Sequence, residues 1–335
     1  MSHPNPSCAI SAEHVCATYK DVLYDGDPLN CLDIWLAPSG GPHPLVVFYH
    51  GGAFTGGDKS KIYGSAVIDR FRKKGVSFAT VNYRTGCGMR DSLCDCARAI
   101  QFLRHKAGDW QIDKDKIGAY GTSAGASISL WIAFNDEMAD PYNTDEVLRE
   151  STRLTVAGAL SGQATLDLLR WPEVLDPAIL GVDIFSDQDA SDPPRQKKLK
   201  QLWQELLEYS HDMYGLKEGD DLYSCKGVAI RQDLDFLARM SRDAPPIYVR
   251  TRGPASLDLD LTSLPPEPEK VLQAFRSRIY HNPLHAKALW KRAREVRLEA
   301  RVYAPYVGLT APCKDDMVDF FLWHLLALPD LCPSE

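Results

Sequence analysis

Short apolar runs alternate with longer amphipathic runs along most of this 335-residue chain. The run at 44–50 is short, continuous and rich in residues that favour strands, as in a strand buried on both faces, and the runs at 76–83 and 116–121 also predict strands. The interval at 90–110 has apolar residues at helical spacing. Because parallel strands need a crossover of that length, the alternation predicts an α/β fold with a mostly parallel sheet flanked by helices. Similar runs predict an early edge strand at 31–38 and further strands at 153–161, 245–251 and 298–305.

The alternation breaks in a stretch rich in aspartate and proline, which has one clear amphipathic helix at 195–215. We therefore predict that an insertion interrupts a single large core. The predicted organisation is an N-terminal arm at 1–19, a core at 20–161 and 245–335, and a helical lid at 162–244.

The charge and composition of the chain limit the kinds of molecule that it can bind. The net charge of −7 argues against nucleic acid or an anionic membrane. No apolar run reaches the ~18–20 residues of a membrane helix, and the N-terminus lacks the pattern of a secretion signal. Nine scattered cysteines favour reduced thiols over a disulfide framework. These features predict a cytoplasmic protein with a small-molecule partner, and they leave the oligomeric state open.

The sequence predicts neither a metal nor a cofactor. Cys94 and Cys96 form a C-x-C pair within a helical pattern, with no second pair at zinc-finger spacing. The acidic stretch at 135–146 lacks the ligand register of an EF-hand loop. Both features are more typical of packing and of a solvated loop.

The segment A-Y-G-T-S-A-G-A-S places Ser123 between Gly121 and Gly125, after a strand-like run and before a helical one. A serine on a sharp strand-to-helix turn needs small neighbours, and the helix N-terminus favours negative charge on a substrate oxygen. The pattern predicts a nucleophile. The alternative is a small residue at a tight turn with no chemical role.

A second glycine segment, F-Y-H-G-G-A-F, lies upstream of the serine. Its Gly51 and Gly52 allow backbone N–H groups to approach a substrate oxygen closely. We predict that the N–H groups of Gly52, Ala53 and Ala124 form an oxyanion hole. His50 is predicted to brace this loop rather than to catalyse.

Together, H-G-G-A-F…G-G-D-K-S, V-N-Y-R, D-K-I-G-A-Y-G-T-S-A-G-A-S-I-S-L-W and P-P-I-Y-V resemble the α/β-hydrolase superfamily. The likeness is greatest to the bacterial esterase and lipase group with an H-G-G-[GA] oxyanion loop. It is specific across 44–160, weaker across 245–330 and absent from the predicted lid. The resemblance implies an eight-stranded, mostly parallel sheet. It also implies hydrolysis of small carboxylic esters through an acyl-enzyme on Ser123, without a cofactor.

The catalytic histidine of this superfamily lies in the loop after the last strand, and the corresponding loop here, 306–316, has none. The predicted helix at 283–296 must begin at the catalytic edge of the sheet, since it leads back to the next strand. That direction favours His281 as a tentative general base and His285 as the second choice. His211 and His324, within predicted helices, are expected to be structural.

In this superfamily a carboxylic acid orients the catalytic histidine, and its position in this sequence is atypical as well. Asp258 and Asp260 lie in the loop after the strand at 245–251, so one of them is the candidate acid, although both could be solvated turn residues. Because a serine without a nearby base is a poor nucleophile, two hypotheses follow. The chain is an esterase with a rearranged triad, or a pseudohydrolase that binds a ligand or a partner.

Overall fold

The computed structural model describes residues 16–38, 40–261, 267–310 and 316–328. These residues form one eight-stranded sheet with the strand order β1-β2-β4-β3-β5-β6-β7-β8. β2 pairs antiparallel with β1 and β4, and the remaining pairs are parallel. The predicted fold class is confirmed. The strands are β1 (Tyr19–Leu23), β2 (Cys31–Trp35), β3 (His43–Tyr49), β4 (Ser77–Val81), β5 (Ile112–Thr122), β6 (Val156–Leu160), β7 (Ile247–Arg250) and β8 (Ala300–Tyr303).

Helices cover both faces of the sheet. In β3, Val47 packs in the larger apolar cluster with α2, α4 and α11, whereas Val46 and Phe48 face α1 and α12. This is the period of two expected of a strand buried on both sides. The helices are α1 (Ala66–Arg72), α2 (Met89–His105), α3 (Ala107–Trp110), α4 (Ala124–Phe134), α5 (Trp171–Val174), α6 (Pro177–Leu180), α7 (Pro194–Met213), α8 (Cys225–Leu234), α9 (Phe236–Arg239), α10 (Pro268–Tyr280), α11 (Pro283–Val296) and α12 (Met317–Leu326).

The prediction of an edge strand at 31–38 is wrong. β2 is buried along its whole length, because β1 pairs outside it and forms the edge. The sequence gives little sign of β1, since Lys20, Asp21 and Leu23 are exposed there and only Tyr19 and Val22 are partly buried. An antiparallel neighbour with so few apolar residues is hard to recognise from a hydrophobic pattern.

The segment between β6 and β7 contains α5 to α9, of which the sequence predicts only α7. Trp171 and Trp203 pack with their ring centroids 6.2 Å apart and join this segment to the main core. No helix among the described residues is long and apolar enough to cross a membrane.

The cysteines correct the expectation of fully reduced thiols. Cys16 is disulfide-bonded. Cysteine number and spacing gave no indication of this bond, because they do not show which two sulfur atoms the fold brings together. The free cysteines of the described residues are Cys31, Cys87, Cys94, Cys96 and Cys225.

Candidate active site

Ser123 lies between the end of β5 and the start of α4, in a backbone conformation with φ 57° and ψ −121°. A positive φ is unusual for a residue with a side chain and costs about 1–3 kcal/mol. The Ser123 N–H donates to the Leu160 carbonyl at 3.0 Å, which ties the turn to the neighbouring strand β6. The hydroxyl is half-buried at the carboxyl edge of the sheet.

Three glycines allow backbone segments to meet at this turn. A Cβ atom at Gly125 would lie 2.0 Å from the Tyr49 carbonyl oxygen, and one at Gly121 would lie 2.2 Å from the Gly125 carbonyl carbon. A Cβ atom at Gly51 would lie 2.7 Å from the carbonyl oxygen of Thr122. The upstream glycine segment is therefore packed directly against the turn that carries the serine.

The predicted oxyanion donors are the backbone N–H groups of Gly52, Ala53 and Ala124. Among the described residues, no hydrogen-bond acceptor is paired with the backbone N–H groups of Gly52, Ala53 and Ala124. Ala53 has a φ of 53°, and the Thr55 N–H donates to the Gly52 carbonyl at 3.0 Å, so the loop turns tightly beside the serine. Unpaired amides next to a nucleophile can bind a developing oxyanion.

His50 contacts this loop and the neighbouring Tyr83. Its ring stacks on Tyr83 with centroids 4.4 Å apart, and the Tyr83 hydroxyl donates to the His50 carbonyl at 2.8 Å. Its Nδ1 lies 3.0 Å from the Gly51 carbonyl oxygen. Burial lowers the pKa of the imidazole. His50 thus has the contacts of a bracing residue, as the sequence predicts.

The structure brings His281 to the serine. Its Nε2 lies 2.8 Å from Ser123 Oγ, although 158 residues separate the two along the chain. His281 directly follows α10 and is half-buried. Burial lowers the pKa of this imidazole, and a hydrogen bond with the Ser277 backbone opposes part of that effect. A neutral imidazole in this position can accept the proton of the hydroxyl.

A buried amide fixes the end of α10. Gln163 donates through Nε2 to the Tyr280 carbonyl at 2.9 Å and accepts from Ser127 Oγ at 2.7 Å. Ser127 belongs to α4, the helix that starts at the nucleophile. Gln163 therefore links the elements that carry Ser123 and His281. The sequence analysis missed it, although a polar residue directly after the buried run at 153–161 is an available signal.

His285, the second choice for the base, does not reach the serine. It is fully buried, and its Nδ1 accepts from the Ala164 N–H at 3.3 Å. Its Nε2 lies 3.1 Å from the Ile279 carbonyl oxygen, to which it donates. Burial lowers its pKa to about 3, so it stays neutral. His285 therefore links α10 to the loop after β6 through hydrogen bonds. It lies four residues after His281, about one helical turn away.

The structure does not support either candidate acid. Asp258 is 89% exposed and faces Arg195 at 3.6 Å. Asp260 is exposed as well. Leu257 and Leu259 are buried, so alternation along this segment turns the aspartates outward. No carboxylate of the described residues is among the groups that shift the pKa of His281.

The remaining histidines after the nucleophile make other contacts. His211 Nε2 lies 2.7 Å from the Asp220 carbonyl oxygen. His324 Nε2 lies 3.5 Å from a carboxylate oxygen of Glu299. Within the described residues, no group of three or more histidine, cysteine, aspartate or glutamate side chains could hold a metal ion.

Two clefts with otherwise different linings meet at Ser123. One, of about 720 Å³, is lined by His281 and includes Ser277, Tyr209 and Arg276; we call it the aromatic cleft. The other, of about 550 Å³, is lined by Lys61, Arg70 and Arg250, and we call it the basic cleft. Gly52 and Ser123 line both. A molecule that reaches the hydroxyl can therefore extend in two directions.

An elbow serine on a mostly parallel eight-stranded sheet, beside a glycine loop, defines an α/β-hydrolase. Comparison with known proteins finds similarity to esterases and to structures that share this fold. Residues 32–187 match the family model described as BD-FAE. Among solved structures, a truncated carbohydrate esterase from gut microbiota has 15% identity and a TM-score of 0.57, covering 95% of this chain and 99% of that one. Esterase B from Lactobacillus rhamnosis has 16% identity and a TM-score of 0.51, covering 88% and 78%.

Curated relatives are esterases by name. A probable isoprenylcysteine alpha-carbonyl methylesterase of Arabidopsis thaliana is 28% identical over 146 residues, which is 43% of this chain and 30% of that protein. Esterase LipC of Mycobacterium tuberculosis is 29% identical over 128 residues, which is 37% of this chain and 32% of that protein. The chain thus spans about a third of the length of the curated relatives that it matches.

We expect Gly125→Ala to lower the free energy of unfolding by at least about 3 kcal/mol, because the new methyl group would collide with the backbone carbonyl of Tyr49. Denaturant unfolding measures the change. Gly26→Ala is the matched control, since nothing lies within 4 Å of a Cβ atom there, and it should stay within about 0.5 kcal/mol. Equal stability of the two variants would contradict the close packing described here.

We expect Gln163→Leu to lower the free energy of unfolding by about 2–4 kcal/mol, because it leaves the Tyr280 carbonyl and the Ser127 hydroxyl buried without their partner. Chemical denaturation again measures the change. Gln201→Leu, at an exposed position of α7, should have an effect within about 0.5 kcal/mol. A Gln163→Leu variant as stable as this control would show that the hydrogen bonds of the Gln163 amide do not stabilise the fold.

Proposed function

We propose that this chain is a serine hydrolase of small carboxylic esters that works through an acyl-enzyme on Ser123. The observation that carries the proposal is the 2.8 Å separation of Ser123 Oγ and His281 Nε2. Three backbone N–H groups that have no acceptor among the described residues belong to the segments that meet at this turn. The esterase names among the relatives support the same reaction class.

In the proposed mechanism, His281 Nε2 takes the proton of the Ser123 hydroxyl as Oγ attacks the ester carbonyl carbon. The carbonyl oxygen gains the negative charge and is bound by the N–H groups of Gly52, Ala53 and Ala124. The protonated imidazole then donates its proton to the departing alkoxide, which leaves as the alcohol. Water, deprotonated by His281, attacks the acyl-enzyme and releases the carboxylic acid and the free serine.

Among the described residues, no carboxylate contributes to the pKa shift of His281. The hydrogen bond with the Ser277 backbone can hold the imidazole in the tautomer that leaves Nε2 free to accept a proton. A neutral carbonyl stabilises the imidazolium less than a carboxylate does, because it carries only a partial charge. We therefore propose a Ser123–His281 dyad oriented by the backbone of α10.

The helical segment between β6 and β7 is proposed as the lid over this dyad. Tyr209 of α7 lines the aromatic cleft, and the Arg276 guanidinium of α10 lies 4.0 Å from the centre of its ring. This contact links the segment to the helix that carries the base. The segment is therefore able to affect both access and the position of His281.

We expect a fluorophosphonate probe to label the wild-type protein and not Ser123→Ala. His281→Ala should label about a thousandfold more slowly, because the hydroxyl loses its proton acceptor. Probe incorporation against time, read by intact-protein mass spectrometry, measures the rates. His105→Ala, at an exposed position at the end of α2, is the matched control and should label at the wild-type rate.

Two other labelling results would contradict different parts of the proposal. A folded wild-type protein that does not label would contradict the esterase and favour a binding protein built on this fold. Labelling that His281→Ala does not slow would rule out the imidazole as the base. Circular dichroism of each variant establishes that it is folded.

The pH dependence follows from the lowered pKa of His281. The imidazole must be neutral to accept a proton, and burial brings its pKa below the ordinary 6.5. The acid limb of kcat/KM should therefore have its midpoint below pH 6.5, with full activity at neutral pH. A pH–rate profile on a neutral ester measures it, and a midpoint above 6.5 would be incompatible with this base.

A further inference from the structure

The two clefts beside Ser123 differ in charge. The aromatic cleft contains Arg276 together with the carboxylate of Glu269. In the basic cleft, Asp316 is bonded to Arg70, which leaves the charges of Lys61 and Arg250 without a carboxylate within salt-bridge distance among the described residues. One side of the nucleophile therefore carries excess positive charge in a chain whose net charge is −7.

Of these two cations, Arg250 has the better position for binding an anion in the basic cleft. It ends β7 at the carboxyl edge of the sheet and is half-buried, whereas Lys61 is exposed. Burial raises the pKa of the Tyr120 and Tyr248 phenols, and the nearby Arg250 charge opposes that rise. Arg250 therefore lines the cleft from the end of a strand of the sheet and is partly shielded from solvent. A partly desolvated cation of this kind gains from a bound anion.

The cleft offers a polar partner beside the guanidinium. Tyr120 also lines it, and the Tyr120 hydroxyl has no hydrogen-bond partner among the described residues. Most of the remaining wall is apolar, which suits a short methylene chain. The apolar lining side chains are Phe48, Ile62, Val67, Leu160, Met317 and Val318.

The direction of the reaction assigns the clefts to the two halves of an ester. His281 must protonate the departing alkoxide, so the alcohol lies on the side lined by His281, which is the aromatic cleft. The acyl group then extends to the other side of Ser123, into the basic cleft. This assignment rests on the proposed function.

We propose that the preferred acyl group carries a carboxylate at its far end, and that Arg250 binds this carboxylate. The substrate class is therefore the monoester of a short dicarboxylic acid. A planar guanidinium can pair with both carboxylate oxygens, which fixes the acyl chain in one direction from the nucleophile. Lys61 adds a solvent-screened charge at the mouth of the cleft.

The test compares matched pairs of esters. Monomethyl esters of succinate, glutarate, adipate and pimelate are each paired with the methyl ester of the monocarboxylic acid of equal chain length. Release of acid is followed by NMR at neutral pH, with Ser123→Ala as the blank. For the best chain length, we expect kcat/KM of the anionic ester to exceed that of its neutral partner by about tenfold or more.

Arg250→Gln removes the charge and keeps a polar side chain. It should lower kcat/KM for the preferred anionic ester by about tenfold to a hundredfold, the range that a charge-assisted hydrogen bond supplies. The value for the neutral partner should change less than about threefold. Arg250→Lys keeps the positive charge and loses the planar guanidinium with its paired N–H donors. It should recover part of the preference for the anionic ester. Arg242→Gln, at an exposed position before β7, is the control and should leave the ratio unchanged.

The outcomes separate this inference from the proposed function. Neutral esters hydrolysed as well as every anionic partner, or a preference that survives Arg250→Gln, would overturn the carboxylate site and leave the esterase standing. A wild-type enzyme that labels with fluorophosphonate but hydrolyses neither member of any pair also overturns it. Loss of both labelling and hydrolysis would refute the esterase itself.

Discussion

The contact between the start of α4 and the end of β3 is the constraint on which the site depends. Gly125 lies so close to the Tyr49 carbonyl that no side chain fits between them. This closeness holds Ser123 in its strained conformation and keeps the upstream loop against it. The energy of that strain is offset by the packing of the sheet and of the buried helix α4, between which the turn lies. The proposed nucleophile is thus held beside the proposed oxyanion donors by the fold itself.

The base depends on a different set of contacts. His281 is carried by a helix outside the sheet, and its position is set by polar groups that satisfy the last carbonyls of α10. Gln163 and His285 bind two of these carbonyls. Both side chains reach back to the segment that follows β6 or to α4. The imidazole is thus held by neutral hydrogen bonds in a buried setting, where such bonds are stronger than in water.

Local patterns predicted most of the fold, and the misses lie where such a pattern is weak. Most of the parallel strands are compact apolar runs, so the strands from β3 to β8 could be recognised directly. β1 could not, because Lys20, Asp21 and Leu23 are exposed and it has no continuous buried apolar run. In the site, the glycines at 121 and 125 were informative because only one local geometry needs both. The direction of α11 pointed to His281. The candidate acids Asp258 and Asp260 remain predictions, and they are exposed because Leu257 and Leu259 occupy the buried positions of the same segment.

Delivery of the base from α10 also links catalysis to the helical segment before β7. Arg276 and Tyr280 of α10 contact Tyr209 and Met213 of α7, through a cation–π contact of 4.0 Å and a hydroxyl–sulfur distance of 3.6 Å. In the superfamily arrangement, the histidine belongs to the loop after the last strand and is independent of such an insertion. Here a shift of α7 would move the wall of the aromatic cleft and the helix of His281 together. The aromatic cleft, to which we assign the alcohol, is therefore joined through α10 to the proposed base, whereas Arg250 of the basic cleft belongs to the sheet.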